Sequence, residues 1–223
     1  MNFSNYNIES IFSSDDYIIE TVKSIGVFEP KRWVETFKKP LTRNIVEAKI
    51  IHTNTGLTIA LKRFAINPKM QTVEFAGLHS YKEKSELKLE LLKDLLLSGA
   101  LDDCFITRWD SAIDFKGKIP NKVIKTLCKV RIPLKPNSYK WNTTYYKTSR
   151  ERKKNATIDI KCYNKALKEK LCYPLERLEF VFKGAYMNKI KVKDLDSKFY
   201  KKMEKSIYNF TGLKIRARPI LSL

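Results

Sequence analysis

Three segments of the chain alternate apolar and charged residues with a period of two, and this pattern constrains the fold more than any other feature. Successive side chains of a β-strand point to opposite faces, so each segment predicts a strand with one apolar row and one charged row. The segments are ITRWDSAIDF, TIDIKCYNK and LERLEFVFKG. Together they predict a sheet with one apolar face and one face that mixes acids with bases.

Turn signals and helical spacing predict the other elements. Two alternating arms flank Asn-Thr-Gly, which is typical of a β-hairpin. The predicted strands are 45–52, 57–64, 71–75, 106–115, 139–147, 156–165 and 175–184. The predicted helices are 85–100, 121–129 and 192–210. Because the strands come in clusters separated by single helices, the fold class is α+β. We expect a largely antiparallel sheet with helices on one face and an open charged face.

The length and the hydrophobic content are sufficient for a packed core. The chain has 223 residues, of which 43% are hydrophobic. We expect residues 1–40 to form a helical or extended appendage and residues 41–223 to form one compact domain. There is no apolar run of the ~18 residues that a membrane span needs, and the four cysteines stand singly. We therefore expect a cytoplasmic protein with reduced thiols and no membrane partner.

The charge of the chain is strongly positive. It has 44 lysines and arginines against 24 acidic residues, which gives a formal net charge of +20. Such a surface repels itself unless it meets a polyanion, so nucleic acid is the expected partner. A solubility device or an association with ribosomes would also produce this charge.

The charged rows contain carboxylates among cations, which is the composition that a metal-dependent nuclease needs. Oxygen ligands suit a hard divalent ion such as Mg²⁺ or Mn²⁺, and the ion would polarise a phosphate. Asp110 and Glu179 are the first candidates for ligands. Asp114 lies in the same row as Asp110 but about 13 Å away along an extended strand. An ordinary solvated face would look similar on any one strand, although the coincidence over three strands weakens that alternative.

Three short motifs resemble those of a known family. They are Thr107–Asp114, then Cys-Tyr-Asn-Lys at 162–165, then Arg177 and Glu179 followed by Lys183 and Tyr186 in the spacing RxExxxKxxY. In this order they resemble rolling-circle replication initiators of the filamentous-phage gene II type and of plasmid and phage Rep proteins. The resemblance covers residues 106–187. It implies the HUH-like architecture of Rep nucleases.

The resemblance implies a nicking and rejoining reaction at a replication origin. In it Tyr186 attacks a DNA phosphodiester and forms a 5′-phosphotyrosine, a divalent metal assists, and Lys183 and Arg177 favour the charged phenolate. Gly184 permits a bend, which we expect to return the phenol of Tyr186 over the charged face near the ion bound by Glu179. Tyr145, Tyr146 and Tyr163 are rival nucleophiles. The chain departs from the family in two respects. It has Leu178 where some plasmid initiators have the tyrosine, and its two histidines, His52 and His79, cannot form a His-hydrophobic-His clamp.

A basic hairpin loop and its neighbours are the expected DNA contacts. Cations would bind phosphates, and aromatic side chains would stack on unpaired bases. The expected cations are Arg108, Lys147, Arg150, Arg152, Lys153, Lys154, Lys161 and Lys165, and the expected aromatic residues are Trp141, Tyr145 and Tyr146. A solvated hairpin whose aromatic residues lie in the core is the alternative.

Single-stranded or hairpin origin DNA is the expected partner, with a second copy of the chain and a host helicase as further candidates. Two other functions stay open at this point. One is a nucleic-acid-binding module without catalysis, in which Asp110 and Glu179 form salt bridges with Arg108 and Arg177. The other is a relaxase that starts conjugative transfer, since it uses nearly the same chemistry.

Overall fold

The chain divides into two compact units. The structure, a computed structural model, describes residues 96–97, 102–134, 140–148 and 157–217, together with the backbone of five strands between residues 16 and 76. Unit 1 comprises residues 1–13, 110–186 and 196–223, and unit 2 comprises residues 14–109 and 187–195. The division does not follow the predicted boundary after residue 40.

Unit 2 contains an antiparallel sheet. Its strands are β1 (Asp16–Thr21), β2 (Trp33–Thr42), β3 (Ile45–His52), β4 (Thr58–Phe64) and β5 (Gln71–Ala76), with the first part of β6 (Phe105–Lys116). They lie in the order β2-β3-β4-β5-β1-β6. The predicted hairpin is confirmed as β3 and β4, and β5 is confirmed as the third strand. The strand β1, within the segment predicted as an appendage, pairs with β5 on one side and β6 on the other.

Unit 1 contains a five-stranded open sheet with helices, which confirms the α+β class. The second part of β6 is joined by β7 (Ile132–Leu134), β8 (Thr144–Lys147), β9 (Ile158–Asn164) and β10 (Leu175–Lys183) in the order β6-β10-β9-β8-β7. The strands β10, β9, β8 and β7 pair antiparallel. The helices are α1 (Asn121–Val130), α2 (Lys165–Glu169) and α3 (Ser197–Thr211).

Several of these elements differ from the predictions, and β7 was not predicted. The strand predicted at 139–147 begins only at Thr144, because residues 140–142 form a tight turn in which Trp141 and Asn142 adopt left-handed backbone angles. The helix α2 was not predicted. Most of the helix predicted at 85–100 lies outside the described residues, although Leu96 and Leu97 are helical.

Local signals explain where α3 begins and ends. The side chain of Asp196 accepts hydrogen bonds from the backbone N–H groups of Lys198 and Phe199, both at 2.9 Å, and so caps the first turn. Gly212 ends the helix with a φ of 72°, a left-handed conformation that glycine adopts without steric cost. The predicted helix started too early, since Val192–Asp194 forms a separate turn.

The helices α1 and α3 pack on the apolar face of the unit 1 sheet. The ring centroid of Phe210 on α3 lies 6.5 Å from that of Phe180 on β10, and the guanidinium of Arg131, just after α1, lies 4.8 Å from the centroid of Phe210. Phe180 and Phe182 are fully buried. The packing of α3 on the apolar side of the sheet agrees with the prediction, whereas the short helix α2 lies beside Tyr163 and Trp141. Among the described residues no helix combines the length and hydrophobicity needed to cross a membrane.

Candidate functional site: the polar face of unit 1

The register of β9 and β10 brings the predicted charged rows together. Arg177 pairs with Tyr163, Glu179 with Lys161 and Val181 with Asp159. Directly opposite residues of an antiparallel pair point to the same face, so the sorting of these two strands from sequence is confirmed. We call this side of the sheet, with the side chains Asp114, Asp159, Lys161, Tyr163, Arg177 and Glu179, the polar face.

Asp114 on β6 and Arg177 on β10 form a buried ion pair with two parallel hydrogen bonds. The Nε of Arg177 lies 2.5 Å from Oδ1 of Asp114, and Nη2 lies 2.6 Å from Oδ2. Both side chains have no exposed surface. A planar guanidinium matches a carboxylate in this fork geometry, which gives specificity as well as energy. Arg177 and Asp114 therefore fix the relation between two neighbouring strands.

Glu179 is the second centre of the polar face. Its Oε2 accepts a hydrogen bond of 2.9 Å from the hydroxyl of Tyr163, and its Oε1 lies 2.6 Å from the Nζ of Lys161. The carboxylate is 2% exposed and Tyr163 is 5% exposed, whereas the Lys161 side chain is 26% exposed. The arrangement joins a phenol, a proton acceptor and a cation at one point. This is the combination that a tyrosine nucleophile needs, because the neutral hydroxyl reacts poorly.

The turn before β8 and the short helix α2 add a cation and an aromatic ring to the edge of this site. The Nζ of Lys168 lies 5.3 Å from the ring centroids of both Tyr163 and Trp141. Trp141 is 38% exposed, so one large aromatic surface is accessible beside the polar face. The sequence does carry a signal for α2, since the side chain of Asn164 caps it by accepting a hydrogen bond of 2.7 Å from the backbone N–H of Leu167.

The prediction of an open, solvent-facing charged surface is wrong at its central positions. Asp110, Asp114 and Arg177 have no exposed surface, and every residue of β6 from Trp109 to Phe115 is buried. The alternation in sequence sorts side chains by face but does not reveal whether a face is covered. Lys165, an expected DNA contact, is also buried, and its Nζ lies 2.9 Å from Oε1 of Glu169.

Tyr186 lies on the opposite side of the sheet from the polar face. Gly184 does bend the chain, with a φ of 55°, but the bend carries Tyr186 to the helices. Its hydroxyl lies 3.0 Å from Oγ of Ser206 on α3, and its ring centroid lies 4.7 Å from that of Phe182. Burial raises the pKa of Tyr186, and the hydrogen bond to Ser206 offsets only part of the shift. The expected position of this phenol above Glu179 is therefore wrong, and its raised pKa disfavours the phenolate.

The other expected catalytic cation, Lys183, forms an ion pair with a neighbouring carboxylate. It lies at the end of β10, and its Nζ forms a short ion pair with Asp159, in which both side chains are partly exposed. Its position is near the edge of the polar face, six positions along the strand from Arg177. Lys183 is thus available to solvent, but its charge is balanced locally.

The remaining expected DNA contacts fall into separate places. Tyr146 on β8 is buried, and so is Cys162 on the adjacent strand β9. Burial raises the pKa of both groups, so the expectation of Tyr146 as an exposed stacking residue is wrong. Tyr145 and Lys147 are partly exposed, and Tyr145 pairs with Lys161. Arg108 belongs to unit 2, and Arg150, Arg152, Lys153 and Lys154 lie outside the described residues.

A divalent metal is only partly accommodated by the described side chains. No group of three or more metal-binding side chains occurs within the described part of the chain. Asp114 is held by the fork of Arg177, and Glu179 by Lys161 and Tyr163. Of the two histidines, only the backbone of His52 is described, and His79 lies outside the described residues.

Comparisons with family models, with curated proteins and with solved structures give no match for this chain. The geometry of the polar face is therefore the basis of the functional proposal.

Proposed function

We propose that this chain is a replication initiation protein that nicks and rejoins origin DNA through a covalent 5′-phosphotyrosine, with Tyr163 as the nucleophile. The hydrogen bond from the Tyr163 hydroxyl to Glu179 carries the proposal. It supplies the base that a phenol requires at neutral pH, where tyrosine with its ordinary pKa near ~10 is protonated. The motif order that resembles Rep proteins supports the same reaction, with the nucleophile moved from Tyr186 to the preceding strand.

The proposed reaction exchanges one phosphate ester for another. The Tyr163 oxygen attacks the phosphorus while its proton passes to Glu179. The bond from phosphorus to the 3′ oxygen breaks, and that oxygen takes up a proton to become the free 3′-hydroxyl. The phosphotyrosine ester conserves the energy of the phosphodiester, so the reverse attack by a 3′-hydroxyl rejoins the strand without a nucleotide cofactor.

Nearby positive charges would stabilise the phenolate and the transition state. Lys161 has its Nζ 5.8 Å from the ring centroid of Tyr163, and Lys168 has its Nζ at 5.3 Å. Arg177 is the residue opposite Tyr163 in the register. Cations positioned where negative charge develops are usually a large part of catalysis in phosphoryl transfer. Trp141, at the edge, would stack on an unpaired base and so favour a single-stranded substrate.

A divalent ion, Mg²⁺ or Mn²⁺, is part of the proposal. Asp110 and Glu179 are the side chains that would hold it. The ion would take the place of Lys161 at Oε1 of Glu179, whereas both carboxylate oxygens of Asp114 are bonded to Arg177. Bound there, the ion would act as a Lewis acid on the phosphate. The proposal assigns the proton transfer to Glu179 and the positioning of the strand to Lys161 and Lys168.

The direct test is the covalent intermediate. We expect the full chain, incubated with single-stranded origin DNA and Mn²⁺, to give a DNA–protein adduct that survives a denaturing gel, and a chelator should abolish it. To identify the origin, the DNA that neighbours the gene would be searched for an inverted repeat. Absence of an adduct over a range of Mg²⁺ and Mn²⁺ concentrations would contradict the nicking activity.

A second candidate function is a DNA-binding module without catalysis. The ion pairs of the polar face favour it, because Asp114 and Glu179 both contact basic side chains as structural carboxylates do. In that case the Tyr163 hydrogen bond would only fix the side chain. The adduct experiment separates the two functions, since a binding module retains DNA affinity and forms no covalent product.

Both functions predict that DNA affinity falls steeply with salt. The net charge of +20 should displace counterions from several phosphates, so the logarithm of the binding constant should fall with the logarithm of salt concentration with a slope of several units. Fluorescence anisotropy between ~50 and ~200 mM salt measures this slope. A slope near zero would remove the electrostatic part of the proposal.

A further inference from the structure

The outer faces of α1 and α3 carry rows of lysines that the sequence analysis did not assign to DNA. The lysines of α1 are Lys122, Lys125 and Lys129, and those of α3 are Lys198, Lys201, Lys202 and Lys205. All seven are exposed. The opposite faces of the helices, which include Val123 and Leu127 on α1 and Met203 on α3, are buried. We call these seven side chains the lysine surface.

The lysines lie along one stripe on each helix. On α3 they stand at positions i, i+3, i+4 and i+7, and on α1 at i, i+3 and i+7, which are neighbours on a helix surface. Seven residues of helix extend about 10 Å. α1 has no acidic residue, and α3 has one, Glu204, whose carboxylate accepts a hydrogen bond of 2.7 Å from the backbone N–H of Ala217. The local excess of positive charge is therefore much greater than the average of the chain.

This distribution of charge is unfavourable for the isolated helices. Like charges at i, i+3 and i, i+4 destabilise a helix by a few tenths of a kcal/mol per pair. Lys122 and Lys198 also lie in the first turns, where the helix dipole disfavours a cation, and α1 has no acidic residue there. A polyanion on the lysine surface would remove both costs.

We propose that the lysine surface binds the phosphate backbone of duplex DNA, on the far side of the unit 1 sheet from the polar face. It deepens the proposed function, because it takes DNA as the partner and assigns the duplex and the nicked strand to different faces. α1 contains no aromatic residue, and the two aromatic residues between the lysines of α3, Phe199 and Tyr200, are buried, while the exposed Tyr208 lies beyond them. Lysines without exposed aromatic rings among them suit phosphates, whereas single-strand binding uses exposed stacking platforms.

The test compares three triple substitutions with the same change of charge. One replaces Lys122, Lys125 and Lys129 with glutamine, and a second replaces Lys198, Lys201 and Lys205. Lys202 is kept, because its Nζ lies 4.5 Å from the ring centroid of Tyr186. The matched control replaces three exposed lysines outside the lysine surface, Lys116, Lys118 and Lys170. Circular dichroism and urea unfolding verify that each variant folds.

The measured quantity is the salt dependence of binding to a blunt 20-bp duplex without an origin sequence. Loss of each phosphate contact lowers the slope by about 0.9, so each helix variant should lose about 2 to 3 units and the control less than 1. The inference is overturned if the helix variants change the slope no more than the control. It is equally overturned if the helix variants lose more affinity for polyglutamate than for duplex DNA, since an acidic protein would then be the better partner.

The outcomes for the two proposals are distinguishable. The helix variants should form the covalent adduct with a short single-stranded oligonucleotide at the wild-type rate. If the wild-type chain binds duplex through the lysine surface but forms no adduct, only the nicking reaction fails. If it forms the adduct and the helix variants bind duplex normally, only the lysine surface fails.

Discussion

The substitution Tyr163→Phe is expected to abolish the covalent DNA adduct while DNA binding persists. It removes only the oxygen that is hydrogen-bonded to Glu179, 2.9 Å away. Loss of an obligatory nucleophile commonly lowers the rate by several orders of magnitude. The fold should survive, because Glu179 keeps its ion pair with Lys161 and a single hydrogen bond contributes only about 1 kcal/mol. The adduct is measured on a denaturing gel and the affinity by anisotropy.

The matched controls are Tyr186→Phe and Tyr145→Phe. Tyr186 contacts Ser206 and Phe182 on the helix side, so its hydroxyl should be dispensable for cleavage. Tyr145 shares the polar face through its pairing with Lys161, which makes it the strictest control. An adduct that persists in Tyr163→Phe and disappears in Tyr186→Phe would identify Tyr186 as the nucleophile. Persistence in all three variants would end the phosphotyrosine mechanism.

The substitution Arg177→Met is expected to destabilise the protein by about 3–5 kcal/mol. It leaves the carboxylate of Asp114 buried without its guanidinium, and the loss of a buried partner costs far more than the pair itself contributes. The free energy of unfolding in urea measures the effect. If the single variant does not fold, the double variant Asp114→Leu with Arg177→Met tests the explanation. We expect it to fold, because removal of both charges should restore much of the stability.

The control for this experiment is Lys183→Met, which breaks the ion pair with Asp159. The side chains of that pair are 35% and 23% exposed, so its loss should cost less than about 1 kcal/mol. Equal effects of Arg177→Met and Lys183→Met would show that the fork between β6 and β10 has no special structural importance. A double variant less stable than Arg177→Met alone would contradict the explanation by an uncompensated charge.

Strands with strong local signals were predicted close to their true bounds. The β3–β4 hairpin follows from alternation around Asn-Thr-Gly, and β6, β9 and β10 follow from their alternating rows. By contrast, β2 and β1 were missed, and β1 lies between β5 and β6 in the unit 2 sheet. Its six residues pair with β5 and with β6, which are distant in sequence, so the evidence for the strand lies in its partners.

The candidate site was predicted in part for a similar reason. The sequence places Arg177 and Glu179 in one row and Lys161 and Tyr163 in another, and the register unites them. The sequence did not show that Asp114 would form an ion pair with Arg177, because the two residues are 63 positions apart. The spacing of Tyr186 from Glu179 is compatible with a bend at Gly184 toward either face of the sheet. The predicted bend toward the polar face was wrong, since Tyr186 contacts Ser206 and Phe182 on the helix side.

The α+β class, the sorting of side chains between two faces and the strong positive charge could be predicted from the residues alone, because period, turn chemistry and composition are local properties. The three-dimensional structure was needed to show which face is buried, that Tyr163 contacts Glu179, and that Tyr186 packs against α3. Burial and cross-strand contact depend on what each segment packs against. That choice is made by the free energy of the whole unit and not by the residues of one strand.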